Sequence, residues 1–201
     1  MKHDSYGRPA GRPNRRSIRL KGYDYTQPGA YFITIVTQDR TCLFGEVVDG
    51  EMRLNALGEI VRACWLGIPG HFPHAALDAF MVMPNHVHGI IVIADYVGAR
   101  HAVPLHTVPL RQRERFGKPV AGSIPTIIRS FKSIVTKRIN EHRKTPGVPV
   151  WQRNYYEHII RSDESLNRIR QYIVENPLRW AFDLENPIAE STDTEKEPWH
   201  A

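Results

Sequence analysis

Residues 83–93, with the sequence MPNHVHGIIVI, constrain the fold of this chain more than any other stretch. His86 and His88 lie two residues apart, immediately before a run of β-branched residues. Successive side chains of a strand point to opposite faces, so both histidines project from the same face. Residues 78–83 are also strand-like, and Pro84-Asn85 favours a tight turn between them. The pattern predicts a β-hairpin whose second strand carries two imidazoles at its entrance.

A same-face His-x-His pair is half of a divalent metal site, because neutral imidazole is a common metal ligand. The alternative is two surface or hydrogen-bonded histidines at the end of a strand. The pair by itself leaves both interpretations open.

The rest of the chain alternates between strand and helix patterns. We predict strands over 31–37, 76–83, 86–93 and 151–160, and a hairpin over 43–54 that turns at Asp49-Gly50. We predict three helices: from an Asn55 cap to about Trp65, from Ser123 to about Arg143, and from Ser162 or Asp163 to Asn176. This order predicts an α+β fold with helices packed on one face of an antiparallel sheet. A ferredoxin-like sandwich is the simplest arrangement that accommodates it.

Three segments differ in composition from the predicted folded domain, residues 23–182. Residues 1–22 are rich in Gly, Pro and Arg and form either a disordered solubilising arm or an arm that contacts phosphates. Residues 95–122 read as a long basic loop, either a flap over a ligand or disorder. Residues 183–201 hold six acids and one lysine, which predicts an acidic, disordered tail.

The formal net charge of +6 and a pI near 9.5 favour an anionic partner. Because the last 19 residues are acidic, the rest of the chain is more basic than the total indicates. Cys42 and Cys64 have no zinc-ligand spacing and are expected to be free thiols. No apolar run approaches the length of a membrane span, so we expect a cytoplasmic protein without membrane contact.

The last predicted helix adds a candidate nucleophile. Tyr172 and Asn176 are four residues apart and therefore share a helix face. If the histidines hold a metal beside a phosphodiester, a tyrosine could attack phosphorus while the metal withdraws charge from the phosphate oxygen. The Asn176 carbonyl oxygen could complete the metal shell, and Arg168 could help the phenol ionise. Two imidazoles and an amide leave positions open, which suits Mg²⁺ or Mn²⁺ better than a closed zinc site. The alternative for Tyr172 is a core aromatic of an amphipathic helix.

Three segments together resemble the signatures of one family. They are 83–88 (MPNHVH), 151–161 (WQRNYYEHIIR) and 172–177 (YIVENP). The resemblance is to the REP-associated tyrosine transposases, relatives of the IS200/IS605 single-tyrosine (Y1) transposases, and it spans roughly residues 22–180. Three ordered motifs are specific together, although each alone would be weak.

The resemblance implies a histidine-hydrophobe-histidine (HUH) DNA endonuclease and strand transferase that depends on a divalent metal. Such enzymes cut single-stranded DNA at hairpin-flanked sites and leave a 5′-phosphotyrosine and a free 3′-OH. His86 and His88 would be catalytic metal ligands and Tyr172 the nucleophile. Asn176 matches the family's polar position four residues after the tyrosine, where the insertion-sequence relatives have glutamine. The implied partner is single-stranded DNA with REP-like hairpins, and the protein would act as a monomer or a homodimer.

Other residues have weaker assignments. The candidate DNA contacts are Arg129, Lys132 and Lys137 on the long helix, Arg153, Arg168, and Arg15 and Arg16 of the arm. Tyr155 and Tyr156 are rival nucleophiles by residue type, but we expect them to pack or to stack on bases. His158 matches a family position without a role that spacing can assign.

Two other functions are compatible with these residues. One is a domesticated protein that binds DNA hairpins without cutting them. The other is a metal-dependent phosphohydrolase that uses only the histidine pair, which would need carboxylate ligands that the sequence does not place.

Overall fold

The computed structural model describes residues 20, 23–94 and 120–189. Arg15, Arg16, most of the predicted basic loop and residues 190–201 lie outside the described residues. The strands are β1 (Gly29–Val36), β2 (Gly45–Val48), β3 (Glu51–Leu54), β4 (Ala75–Val82), β5 (His86–Ile93) and β6 (Tyr156–Ile160). The helices are α1 (Ala56–Leu66), α2 (Ile68–His71), α3 (Ile124–Arg143) and α4 (Asp163–Glu175), with 3-10 turns at Gln38–Arg40 and Asn176–Phe182.

The main sheet has four antiparallel strands in the order β4-β5-β1-β6. With α1 between β1 and β4, and α3 between β5 and β6, this is the ferredoxin-like order of strands and helices. The predicted α+β class is therefore confirmed. The β2–β3 hairpin lies apart from this sheet and turns at Asp49 and Gly50, both at positive φ, as its sequence predicts.

One face of the sheet packs against α1 and α3. Tyr31, Ile33 and Ile91 point from β1 and β5 into a core that includes Trp65 of α1 and Phe131 of α3. The α1 helix approaches closely at Gly89 of β5, where a Cβ atom would lie 2.3 Å from the Trp65 ring. Asn55 caps α1 through its side chain, as predicted.

The last helix, α4, lies on the opposite face, so the prediction that the helices share one face is wrong for this helix. Ile169 and Ile173 of α4 pack against Phe32 of β1 and Ile90 of β5, which alternate with the residues that face α1 and α3. Both faces of the central strands are apolar, so each face needs a cover. Arg170 of α4 also forms a two-pronged ion pair with Asp78 at a bulge in β4.

Strand β6 begins at Tyr156, five residues later than predicted. Trp151 forms only a single bridge with Thr37. The carbonyl oxygens of residues 152–154 instead accept hydrogen bonds from Nζ of Lys132. These contacts with Lys132 take the place of ladder hydrogen bonds along this segment.

The structure also bears on the cysteines and on membrane-spanning helices. Cys42 is exposed and Cys64 buried, and both are free thiols. Among the helices in the described parts of the chain, none is long and apolar enough to cross a bilayer.

Candidate active site

The two histidines lie side by side on the face of the sheet that α4 covers. His86 pairs with Val36 and His88 with Thr34 across β1, and the imidazole centroids are 4.4 Å apart. Both side chains are buried, with exposures of 0% for His86 and 2% for His88. The same-face placement predicted from the sequence is confirmed, and the interpretation as exposed histidines is wrong.

Asn85 orients the His86 ring. Its Nδ2 donates to the carbonyl oxygens of Arg40, at 3.0 Å, and Glu185, at 2.6 Å. These two acceptors fix the amide, so Oδ1 faces Nδ1 of His86 at 2.9 Å and accepts a hydrogen bond from its N–H group. Nε2 of His86 therefore carries a lone pair, and it has no hydrogen-bond partner among the described residues.

The His88 ring is held in a similar way. Nδ1 of His88 lies 2.9 Å from the Thr34 hydroxyl, and Nε2 lies 3.4 Å from the Tyr172 hydroxyl. When the phenol donates a hydrogen bond to Nε2, the proton of the ring is on Nδ1, which then donates a hydrogen bond to the Thr34 hydroxyl. An oxygen acceptor on the Nδ1 side of a ring is the arrangement that orients metal-binding histidines.

Burial keeps both imidazoles neutral near pH 7. It lowers the pKa of His86 to about 4 even though the Asp183 carboxylate opposes the shift. The pKa of His88 is also lowered well below its ordinary value, by burial and by the neighbouring His86. Neutral imidazoles are the form that binds metals.

Helix α4 brings Tyr172 to the histidines. Its ring lies edge-on to Phe32, with centroids 6.2 Å apart, and 5.2 Å from the His88 ring. Ser162 caps the helix through its side chain, and Ile169 and Ile173 bury its inner face. The packing that a core aromatic would show and the placement expected of a nucleophile therefore occur in the same residue.

Asn176 and Asp183 complete a polar cluster beyond the histidines. Nδ2 of Asn176 donates to Oδ2 of Asp183 at 2.9 Å, while Oδ1 of Asn176 is buried and has no partner among the described residues. Oδ2 of Asp183 lies 4.0 Å from Nε2 of His86, and the Asp183 side chain is only 5% exposed. His86, His88 and Asp183 each offer a ligand atom, and these atoms lie within 4.8 Å of one another.

This donor set fits a divalent metal ion. Unpartnered lone pairs on Nε2 of His86 and Oδ1 of Asn176 converge with a buried carboxylate, and burying such groups without a cation or donor is costly. The two histidines and the acidic residue could therefore hold a metal. Mixed nitrogen and oxygen donors are compatible with Mg²⁺ and Mn²⁺ as well as zinc.

Asp183 was not predicted from the sequence because it lies outside the motifs, at the start of the predicted acidic tail. In the structure, residues 183–189 follow the 3-10 helix and return to the sheet. Glu185 forms an ion pair with Arg40 at 3.0 Å. Asp183 and Glu185 therefore make specific polar contacts beside the histidine strand that the acidic composition of the tail does not predict.

Known proteins resemble this chain in sequence and in fold. No protein-family model matches the chain. An uncharacterised Haemophilus influenzae protein is 44% identical over 174 residues, which cover 87% of this chain and 94% of that protein. A second protein of that organism, named "Putative REP-associated tyrosine transposase", is 28% identical over 162 residues, 79% of this chain and 76% of its own length.

A solved structure of a REP-associated tyrosine transposase bound to a REP hairpin has the same fold. It aligns with a TM-score of 0.53 and 16% identity, over 89% of this chain and 93% of that one. The predicted resemblance to the REP-associated tyrosine transposases is therefore confirmed, in sequence by the second Haemophilus influenzae protein and in fold by the solved structure. In this chain the three motif segments supply β5 with its turn, β6 with the loop before it, and the end of α4.

The rival tyrosines of segment 151–161 lie apart from the histidines. Tyr155 packs with the core that faces α1 and α3. Tyr156 is on the histidine face and stands edge-on to Phe32 at 6.4 Å, but β1 separates it from β5. His158 pairs with Phe32 on the same face, two residues further along β6.

The candidate DNA contacts are divided between the two faces. Lys132, Lys137 and Arg153 line one groove of about 830 Å³ between the second half of α3 and residues 146–153. Nζ of Lys132 is engaged by three carbonyl oxygens, so a phosphate contact would require breaking these bonds. Arg129 is exposed on α3, and Arg168 is exposed on α4, where it pairs with Glu164 at 3.4 Å.

Proposed function

We propose that this protein is a metal-dependent single-stranded DNA endonuclease and strand transferase that acts at hairpin-forming repeats. The observation that carries the proposal is the 3.4 Å separation between the Tyr172 hydroxyl and Nε2 of His88. This separation brings a candidate nucleophile beside a candidate metal ligand. Similarity to a protein named as a putative REP-associated tyrosine transposase supports the same reaction class.

Tyr172 is the proposed nucleophile. Its phenolic oxygen forms a bond to phosphorus as the bond from phosphorus to the 3′-oxygen breaks. The products are a 5′-phosphotyrosine and a free 3′-OH, and the proton that the phenol loses balances the one that the 3′-oxygen gains. The covalent intermediate keeps the phosphodiester energy, so a second 3′-OH can attack it and rejoin the strands.

His86, His88 and Asn176 are the proposed ligands of a divalent metal, Mg²⁺ or Mn²⁺. When bound, the metal would withdraw charge from the phosphate oxygen. Asn85 and Thr34 hold the two imidazoles so that each Nε2 faces the site. Phe32 supports the ring of Tyr172 and limits its positions.

The proposed substrate is DNA with a REP-like hairpin, as in the solved relative. The groove that holds Lys137 and Arg153 offers positive charge for phosphates. One end of the groove lies beside the backbone of the histidine strand, because the backbone N–H of Gln152 donates to the carbonyl of Val36, which pairs with His86; the imidazoles themselves project from the other face of the sheet. A DNA backbone that leaves the groove at this end would reach the start of β5.

A hairpin-binding protein that does not cut is the second candidate. The burial of His86 and His88 favours it, because a phosphate reaches them only after neighbouring side chains move. The two functions differ in one product, the covalent adduct.

The test is cleavage of end-labelled single-stranded DNA that carries hairpin repeats from the source genome, with Mg²⁺ or Mn²⁺. Tyr156→Phe is the matched control for Tyr172→Phe, since both lose a hydroxyl on the same face of the sheet. The endonuclease predicts nicking by the wild type and Tyr156→Phe and none by Tyr172→Phe or His86→Ala. Tight binding without nicking by the wild type would favour the hairpin-binding protein.

A further inference from the structure

The segment after α4 contributes a buried carboxylate to the site. We propose that Asp183 is a ligand of the metal, and that metal binding fastens residues 183–186 to the histidine strand. This inference rests on the metal of the proposed function. It adds a ligand from outside the three motifs and assigns a role to a segment that sequence composition alone marks as a tail.

Asp183 is built into the site by both of its carboxylate oxygens. Oδ1 accepts from the backbone N–H of Glu185 at 2.7 Å, and Oδ2 accepts from Nδ2 of Asn176 at 2.9 Å. Oδ2 also faces Nε2 of His86. This nitrogen presents a lone pair, because the ring proton is on Nδ1 and is donated in a hydrogen bond to Asn85. The lone pairs on Nε2 of His86 and Oδ1 of Asn176 have no donor among the described residues, so their proximity to this buried carboxylate favours a cation between the three groups.

The spacing of the donor atoms suits one ion. Metal–ligand distances for nitrogen and oxygen donors are about 2.1 Å, so opposite ligands of one ion are roughly 4.2 Å apart. The donor atoms of His86, His88 and Asp183 lie within 4.8 Å of one another. Small shifts of these side chains bring all three donor atoms into range of one ion.

Glu185 of the same segment also makes polar contacts with residues beside the sheet. The Glu185 carbonyl accepts from Asn85, and the Glu185 carboxylate pairs with Arg40, whose side chain is half exposed. Exposed ion pairs contribute little to stability. A metal shared by β5 and Asp183 would add a further link between the segment and the sheet, and through the 3-10 helix it would also restrain the end of α4.

The experiment uses the full-length Tyr172→Phe protein without DNA, so that cleavage plays no part. Mn²⁺ affinity is measured by calorimetry for this protein and for two further proteins, in which either Asp183→Asn or Glu185→Gln is added to Tyr172→Phe. Both substitutions remove one negative charge from the same segment. We expect Asp183→Asn to weaken Mn²⁺ binding at least about tenfold, and Glu185→Gln to change it less than about twofold.

Hydrogen exchange gives a second readout, measured in the Tyr172→Phe protein and in the two proteins with an added substitution. Saturating Mn²⁺ should slow exchange at the amides of residues 184–186, and it should do so in Glu185→Gln but not in Asp183→Asn. Unchanged exchange at saturation would overturn the inference, even if Asp183→Asn failed to fold. Equal Mn²⁺ affinity in a folded Asp183→Asn protein would overturn it as well. If Mn²⁺ binds as expected but no DNA adduct forms, the proposed function fails and this inference stands.

Discussion

The hydroxyl of Tyr172 lies 3.4 Å from Nε2 of His88, although the two residues are 84 positions apart in the chain. Helix α4 and strand β5 meet on the face of the sheet opposite α1 and α3, and the candidate nucleophile and both histidines lie on this face. The hydrogen bond joins a phenol to an imidazole whose other nitrogen is bound to Thr34. A metal bound at Nε2 of His88 would take the place of this hydrogen bond and leave the phenol beside the ion.

Replacing Asn85 with alanine should weaken metal binding by about 10–100-fold, because Asn85 fixes the tautomer and orientation of His86. Calorimetric titration with Mn²⁺ measures the effect. Asn140→Ala is the matched control, since Asn140 is also buried and binds a carbonyl, that of Val148, away from the site. An Asn85→Ala protein that keeps the wild-type affinity would show that other residues hold the ring.

The ion pair between Asp78 and Arg170 should make the stability of the protein depend on pH. Arg170 holds the pKa of Asp78 below its ordinary value. The stabilisation is therefore complete above the ordinary pKa of about 3.9 and is lost as the pH falls through the lower folded-state pKa.

Urea unfolding of the wild type and Asp78→Asn tests this dependence. The free energies of unfolding should differ by about 1 kcal/mol at pH 7, and the difference should shrink towards pH 3. Arg168→Gln, which removes an exposed ion pair on the same helix, should change stability little at either pH. A pH-independent difference would rule out the ion pair as its cause.

Gly89→Ala should destabilise the protein by about 1–3 kcal/mol, because the added Cβ would meet the buried ring of Trp65. Thermal or urea unfolding measures the loss. Combining it with Trp65→Phe, which removes the atoms nearest the new Cβ, should cost less than the sum of the two single changes. Additive costs would mean that the packing between α1 and β5 relaxes in another way.

Lys137→Ala and Arg153→Ala should each weaken DNA binding for all sequences alike, since interactions with phosphates in the groove carry no base information. The slope of log affinity against log salt should fall in magnitude by about 0.7–0.9 for each phosphate that is no longer neutralised. Arg62→Ala on α1 is the control, because Arg62 pairs with Glu59 outside the groove. A slope unchanged by both groove substitutions would exclude the groove as the DNA path.

Much of the fold follows from local pattern. The β-branched run after His88, the cap at Asn55 and the apolar stripes of α1 and α3 predict their elements to within a few residues. The position of α4 could not be read in the same way. Its apolar stripe indicates that one side is buried, but which face of the sheet it covers depends on the pairing of Phe32 and Ile90 across β1 and β5.

The residues of the candidate site also fall into two groups, those predicted from local pattern and those whose position depends on the tertiary structure. His86, His88, Tyr172 and Asn176 were found from spacing and motif, because each lies in or directly after a regular element. Asp183 was not, since its place depends on a 3-10 helix around Pro177 that returns the chain to the sheet. Lys132 shows the opposite case, where a basic residue predicted to contact DNA binds three carbonyl oxygens of the next loop.

The most direct test of the proposed mechanism is the identity of the residue that becomes linked to DNA. Wild-type protein is incubated with Mn²⁺ and a single-stranded hairpin repeat, the adduct is isolated on a denaturing gel, and its peptides are identified by mass spectrometry. We predict one DNA-linked peptide, modified at Tyr172, and no adduct in Tyr172→Phe. An adduct that persists in Tyr172→Phe, or one that maps to Tyr155 or Tyr156, would contradict the mechanism.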